Sequence, residues 1–536
     1  MLLVLLAKEF SYHQKELNKI FFVSLQRVMT NYKNDTDMKK SVMMTVCSLA
    51  WLVPLMAHGE VKLFPENGSV EVNPDTHLTI TFDGEVKLGS KGCIRVYDKG
   101  TGKLVDMLDM SIPAGPVEKT PDAPDADYIK SPYSYESRNI TNRNTLPGTP
   151  SAYNRPDKRK FQLTIIGGFS DGFHFYPVMT KGNQATIYLH NNMLDYGREY
   201  FVTIDKAVFA DFKGIKGRTA WTFKTKKVAP DKQQRVLTVA SDGSGDFSTL
   251  QGAMDFIPDG LQNESERRTV KVRKGDYQEL VYFRNKNYVT IEGEGRELTL
   301  VHYPNNEVFN PHPADIKTNE MKGTFPSRRA AVAADNCRHM VFKDITFKTD
   351  CTGQAEGFLL NGEHNYAENV GVIGSGDALQ VNGSTYWMNC YISGHGDTVL
   401  GRGPSFFNHC TLVSTSTFMW IRNDSGNHGN VFVSCTFKGT GKGTSYLAKT
   451  SSNKNKSYPY QEAVLLNCTL DNVPPAGWSH EEEALKTAHL WEFNSVDING
   501  KPIDTTWRNP YSRQLHPVRD ATLIGQYADA NYVLGW

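Results

Sequence analysis

A nine-residue unit recurs through the second half of the chain and restricts the fold more than any other feature. Residues 366–374 align with 386–394 and 406–414 at offsets of 20, and with 431–439 and 464–472 at further offsets of 25 and 33. Residues 340–348 read as an earlier copy. Each unit is one short apolar strand, which cannot bury its own face and must stack on its neighbours. A period of 20 leaves no room for a helix, and the longer offsets place insertions between strands. The spacing therefore predicts a solenoid, a parallel β-helix over residues 235–536. Cys390, Cys410, Cys435 and Cys468 share one position of the unit. They are expected as an interior row of free thiols acting as small buried hydrophobes.

The first half follows period two. Leu78-Thr79-Ile80-Thr81-Phe82, Ile94-Arg95-Val96-Tyr97, Phe161-Gln162-Leu163-Thr164-Ile165, Ala185-Thr186-Ile187-Tyr188-Leu189 and Tyr200-Phe201-Val202-Thr203-Ile204 alternate, with turn residues between them. This predicts an antiparallel β-sandwich over residues 60–228, with a long Pro-, Asn-, Ser- and Tyr-rich insertion at 113–160. Phe64-Pro65-Glu66-Asn67-Gly68 at its start and Trp221-Thr222-Phe223-Lys224-Thr225 at its end resemble the immunoglobulin-like domains found beside bacterial cell-surface enzymes. Residues 226–234 read as a linker.

Residues 42–57 form the one long apolar run, preceded by Lys39-Lys40 and closing on Ala57-His58-Gly59. It is shorter than the ~20 residues a membrane span needs. Its basic lead and small exit residues suit an export signal over about 38–59, with Met38 as the start and 1–59 as upstream segment plus signal. A periplasmic, secreted or cell-surface protein without membrane insertion is expected. Lys and Arg number 59 against 58 Asp and Glu, so no global charge draws the chain to nucleic acid. None of the eight cysteines forms a CxxC pair and no histidines have zinc-site spacing, so no metal site is expected.

The repeat register also places polar residues. Three residues past each unit stand Asp377, Asp397 and Thr417, each 20 apart, and one past it stand Ser375, His395 and Thr415. Parallel coils lie ~4.8 Å apart, so each set should form a column on the outer wall. Arg402 and Arg422 are again 20 apart. Two carboxylates on adjacent coils push each other's pKa values apart, which suits an acid and a base or an acid and a nucleophile. Asp residues in Gly-Asp turns also cap their own backbone, but the shared register with nearby arginines points to a site. Carboxylates with arginines suit an acidic sugar polymer, because guanidinium binds uronate bidentately.

The second half resembles the pectin methylesterase (pectinesterase) family as a divergent member. The resemblance rests on Gly245-Asp246-Phe247-Ser248-Thr249-Leu250-Gln251, on Arg268-Thr269-Val270-Lys271-Val272-Arg273-Lys274-Gly275-Asp276-Tyr277, on Gly394-His395-Gly396-Asp397-Thr398, and on Trp491-Glu492-Phe493-Asn494 and Leu534-Gly535-Trp536. It implies a right-handed parallel β-helix and a carboxylic ester hydrolase that releases methanol from galacturonic acid methyl esters of pectin, without metal or cofactor. It also implies that Asp397 is the acid/base Asp. The family's oxyanion glutamines fall on Gly396 and Ser375, its nucleophile on Thr417, and its orienting Arg on Lys449, which keeps the charge but loses the fork. The 20-residue register suggests that the missing carboxylate is Asp377, one coil back. Thr417 as nucleophile with Asp397 as base is the other option.

The expected catalytic residues are thus Asp397 and Asp377. Arg402, Arg422, Lys449, His395, Ser375, Thr417 and Trp420 are the expected substrate-binding residues. Pectin or a pectic oligosaccharide is the expected partner, and a monomer the expected state. Two other readings stay open: a glycan-binding solenoid without catalysis, and a glycoside hydrolase, since Gly376-Asp377, Gly394-His395-Gly396 and Ile421-Arg422 resemble polygalacturonases.

Overall fold

The computed structural model describes residues 61–117, 161–164, 166–167, 173–310, 327–449, 458–479 and 487–536. The export signal and most of the 113–160 insertion lie outside these residues. Among the described residues no helix is long and apolar enough to cross a membrane.

From residue 236 onward the chain winds through three sheets. An eleven-stranded sheet begins at Val236–Val239 and ends at Ser512–Gln514, an eight-stranded sheet runs from Gly275–Gln278 to Thr469–Asp471, and a seven-stranded sheet from Val281–Arg284 to Ala448–Lys449. All pairs within them are parallel, and each of the seven coils from Arg268 to Lys449 gives one strand to each sheet. This is a parallel β-helix. Val341, Tyr366, Tyr386, Phe406, Val431 and Val464 lie side by side, so the repeat register holds along the sheet. The earliest copy sits one residue later than read, with Val341 and not Met340 opposite Tyr366.

One residue of each coil makes the bend between the first two sheets. Asn369, Asn389, His409, Ser434, Asn467 and Asn494 all have φ between 52° and 56°. Asn carries this left-handed conformation at low cost, because its short polar side chain bonds locally. Directly after it comes the interior residue of the corner, which is cysteine in four coils. Cys390 N donates to Cys410 Sγ at 3.4 Å and Cys410 N to Cys435 Sγ at 3.3 Å. All seven described cysteines are free thiols. Beside them Trp387, Phe407 and Phe432 stack through the bore, with ring centres 6.0 and 4.6 Å apart.

Helices cover the solenoid at two places. At the start, the helix Leu250–Phe256 packs Leu250, Ala253 and Met254 into the core. Near the end, Ala521–Ala528 and Ala530–Leu534 lay Tyr527, Val533 and Leu534 over Phe406, Val431 and Val464 on the outer face of the eleven-stranded sheet.

Residues 62–225 form a four-stranded and a five-stranded sheet. Alternate residues such as Leu78, Ile80, Ile94, Val96, Ala185 and Ile187 are buried. One pairing departs from the antiparallel expectation: Ser69–Val72 runs parallel to Thr222–Thr225. More than 140 residues separate these strands, so no hairpin imposes an antiparallel sense. The strand expected at 161–165 shrinks to Leu163–Thr164 paired with Phe173–His174. That pair belongs to the seam with the solenoid, where Phe173 packs on Tyr282 and the His174 amide donates to Asn310 Oδ1. Residues 226–234 are held from both sides: Lys226 N donates to Val72 O, and Lys226 Nζ to Gly245 O. A cavity of about 970 Å³ opens at this seam, lined by His77, Tyr188 and Glu279 among others.

Candidate active site

The short turns that enter the seven-stranded sheet carry the site. Val332, Phe358, Leu379, Val399 and Met419 stand in register. Counting back two residues puts Ala330, Glu356, Asp377, Asp397 and Thr417 in one column. Three acids therefore occupy successive coils, not the two read from the 20-residue spacing.

They are treated differently. Asp377 is 8% exposed, and its Oδ2 accepts from Arg329 Nη2 at 2.6 Å. The same guanidinium donates from Nε to both Glu356 oxygens at 2.7 and 2.9 Å and lies 3.4 Å from Glu307. One cation thus serves three carboxylates. Burial pushes the Asp377 carboxyl up to about 7 against the pull of Arg329, while Glu356 and Asp397 add to the rise and Arg422 opposes it.

Asp397 lies outside that cluster. Its φ of 45° is left-handed, which Asp tolerates. Thr417 Oγ1 donates to Asp397 Oδ1 at 2.7 Å and accepts from Asp397 N at 3.2 Å, a clasp across adjacent coils. Lys449 Nζ approaches Asp397 Oδ2 at 3.6 Å. Leu400, Trp420 and Lys449 are successive partners in the sheet. Lys449 Nζ sits 4.4 Å and Arg422 Cζ 3.6 Å from the centre of the Trp420 ring. Arg422 is 7% exposed and its Nε has no hydrogen-bond partner. Its charge is felt by both Asp377 and Asp397 and by Arg402 one coil back.

The column and the arginine pair read from the spacing are therefore brought together, with Lys449 and Trp420 beside them. His395 and Ser375 are placed less usefully for chemistry. His395 is exposed, with its backbone N donating to Gly376 O. Ser375 is buried in backbone pairing with Ala355. Arg329 and Glu356 escaped the sequence reading. Glu356 lies 21 residues before Asp377, so extending the register by one coil finds it. Arg329 offers no such signal, because it reaches Asp377 across 48 residues from a position the repeat does not carry. No group of His, Cys, Asp and Glu among the described residues is arranged to hold a metal.

Chemically, the wall offers a carboxylate with a hydroxyl and an ammonium at hydrogen-bonding or near range, beside an aromatic ring that a sugar can stack on.

Comparison with known proteins bears on the same stretch of chain. The chain is 27% identical over 304 residues to pectinesterase QRT1 of Arabidopsis thaliana, covering 53% of this chain and 74% of that one. It is 26% identical to pectinesterase 31 of the same plant (52% and 88% covered) and 27% identical to pectinesterase 1 of Olea europaea (50% and 72%). Among solved structures, the pectin methylesterase from carrot matches with 18% identity and a TM-score of 0.44, covering 56% of this chain and 92% of that one. PemA of Erwinia chrysanthemi matches with the same identity and score, covering 56% and 97%. The pectinesterase family model matches residues 236–535, more than half of the chain, and the chain belongs to the pectinesterase family.

Proposed function

We propose that the protein hydrolyses methyl esters of galacturonic acid in pectin or a pectic oligosaccharide and releases methanol. The observation that carries this reading is the Asp397 carboxylate, held by the Thr417 hydroxyl and approached by the Lys449 ammonium, on the wall of a pectinesterase-family solenoid. In this mechanism Asp397 takes a proton from the water that attacks the ester carbonyl. The Lys449 ammonium offsets the negative charge developing on the carbonyl oxygen. Collapse of the tetrahedral intermediate breaks the bond to the methoxy oxygen, and Asp397 returns its proton there, so methanol leaves. The galacturonic acid then ionises in water. Asp377, locked to Arg329 and buried, acts as a neighbouring charge and not as the nucleophile. Export, an immunoglobulin-like character of the sandwich and a monomeric state belong to the same proposal.

A second reading, glycan binding without hydrolysis, draws support from the hydroxyl of Thr417 where the resemblance places a carboxylate. Incubation with methyl-esterified pectin decides between them. Methanol that disappears in Asp397→Ala supports the esterase, binding without product supports the second reading, and new reducing ends in place of methanol indicate a glycoside hydrolase.

A further inference from the structure

We infer that residues 423–428 form a substrate-binding loop at the rim of the wall, and that His428 and Glu462 are the positioning residues that hold it. The inference rests on the esterase reading for the identity of the substrate, but its test is a binding test.

The loop interrupts the repeat. Ile421 pairs with Gly401 and Asn430 with Ser405, so the register shifts from 20 to 25 residues between the two pairs. Residues 423–428 stand where the preceding coil has Gly403 alone. They leave the sheet directly after Trp420, Ile421 and Arg422, and Asn427 Nδ2 donates to Arg402 O at 3.2 Å. The insertion therefore lies at the exit of the preceding coil, beside the arginines of the wall. Asp424, Ser425, Gly426 and Asn427 are exposed.

An exposed run of this kind is costly to order, yet both of its ends are fastened. At the entrance, Asn423 is buried; its Nδ2 donates to Asn427 O at 3.2 Å and to Tyr460 O at 2.9 Å, and its Oδ1 accepts from Glu462 N at 3.0 Å. At the exit, His428 Nδ1 meets Glu462 Oε1 at 2.8 Å. The other oxygen, Oε2, takes His489 Nδ1 at 2.6 Å and the Tyr527 hydroxyl at 2.7 Å. Burial pushes the Glu462 carboxyl up, but the hydrogen bonds from His428, His489 and Tyr527 outweigh it and hold it down at about 2. An ionised carboxylate only accepts, so the His428 ring is the donor. Tyr527 belongs to the helix Ala521–Ala528 and packs against the His428 ring with centres 5.1 Å apart. One buried carboxylate thus ties the rim loop to the eleven-stranded sheet and to the helix laid over it.

The turn itself does not require these residues, because the preceding coil makes it with Gly403. What the fastening leaves exposed is polar: a hydroxyl on Ser425 and an amide on Asn427, groups that both donate to and accept from sugar hydroxyls. A polymer lying on the wall has a further sugar next to the one at Asp397, and the loop is placed to bind it. A loop held in one conformation beforehand spares the ligand the cost of ordering it. That is the role assigned to His428 and Glu462.

The test uses the full chain carrying Asp397→Asn, so that no ester is consumed, and measures binding of a fully methyl-esterified oligogalacturonate by calorimetry. Replacing residues 423–428 by one glycine is expected to weaken binding about 10-fold or more. His428→Ala is expected to weaken it about 3- to 10-fold and to speed hydrogen exchange of the 424–427 amides. His428→Asn keeps a donor at the Nδ1 position and should bring both readouts to within about twofold of the parent. Ser425→Ala combined with Asn427→Ala, expected to cost about fivefold, keeps the test decisive if the shortened chain folds poorly. Unchanged affinity in the double Ala variant and the shortened chain would overturn the inference. So would a His428→Ala protein whose loop amides exchange faster while its affinity holds, because the fastening would then serve only the fold. Failure of the parent protein to bind the oligomer would overturn it as well. Methanol release by the unmodified protein judges the esterase reading separately.

Discussion

The seam between sandwich and solenoid and the wall around Asp397 both gather polar groups, but they satisfy them differently. At the seam, Asp75 Oδ2 accepts from Ser248 N, Thr249 N and Thr249 Oγ1 within 2.9 Å. Glu279 accepts from the amides of Leu250 and Gln251, and Asp255 from Asn191, Asn192 and Gln251. On the wall, Asp397 has one hydroxyl and one lysine, and Arg422 lies over an aromatic ring with its Nε unpaired among the described residues. Several of the seam bonds tie backbone amides to carboxylates and hold the structure together, although Asn73 Oδ1, Asp75 Oδ1 and His77 Nε2 there are buried without a partner among the described residues; the Asp397 carboxylate on the wall is held by side chains alone. The sandwich therefore works as the solenoid's first cap, and the wall as its working face.

Removing Asp397 gives the largest expected effect. Asp397→Ala should lower methanol release by ~10³-fold or more, about 4 kcal/mol of barrier, with a stability loss in urea of only about 1–2 kcal/mol, the cost of Ala at a left-handed φ. A larger loss would mean that Asp397 belongs with the groups that hold the seam and would erase the contrast.

Asp75→Ala should do the reverse. Three donors at the start of Leu250–Phe256 lose their acceptor, which predicts a loss of about 2–4 kcal/mol in urea unfolding. Methanol release measured well below the melting point should stay within about twofold.

The seam also carries a pH test. His302 lies between Asp276, at 2.5 Å, and Asp350, and Lys181 of the sandwich reaches Asp276 at 3.5 Å. Burial works against the charged imidazole, but the hydrogen bonds to Asp276 and Asp350 outweigh it and raise His302 to about 9. A folded pKa above the unfolded ~6.5 gives stability that is complete below pH ~6.5 and lost as pH rises through about 9. The gain is held to about 2 kcal/mol, because the Asp276 side chain is 56% exposed and screened. Urea midpoints at pH 6 and pH 10 should differ accordingly, and His302→Gln should flatten the difference.

What the sequence disclosed follows the same division. The Tyr366, Tyr386 and Phe406 offsets disclosed the coil because each coil repeats a local requirement: one apolar strand, one left-handed corner, one interior residue. The corner went unread: an Asn stands before Cys390 and Cys468, but only the backbone angles identify it as the left-handed bend. Asp377, Asp397 and Thr417 were found through the register for the same reason. The seam was not readable, because Asp75 meets Ser248 across 173 residues with no repeat to link them. Nor was the pairing that sets Asp377 apart from Asp397, since Arg329 reaches over an intervening coil.

Thr417 gives the smallest effect and the finest division within the wall. If its hydroxyl serves to hold Asp397 Oδ1, as the 2.7 Å contact indicates, Thr417→Val removes both bonds of the clasp and lets the carboxylate turn. A roughly 10-fold loss of methanol release follows, about 1.4 kcal/mol, and Thr417→Ser, which keeps the donor, should stay within about threefold of the parent. A nucleophilic Thr417 would behave otherwise. Val would then abolish release as completely as Asp397→Ala, and no hydroxyl-free variant would retain activity. Steady-state methanol release by the two variants at one pectin concentration separates these outcomes, and a 10-fold loss with Ser rescue assigns Thr417 to positioning Asp397.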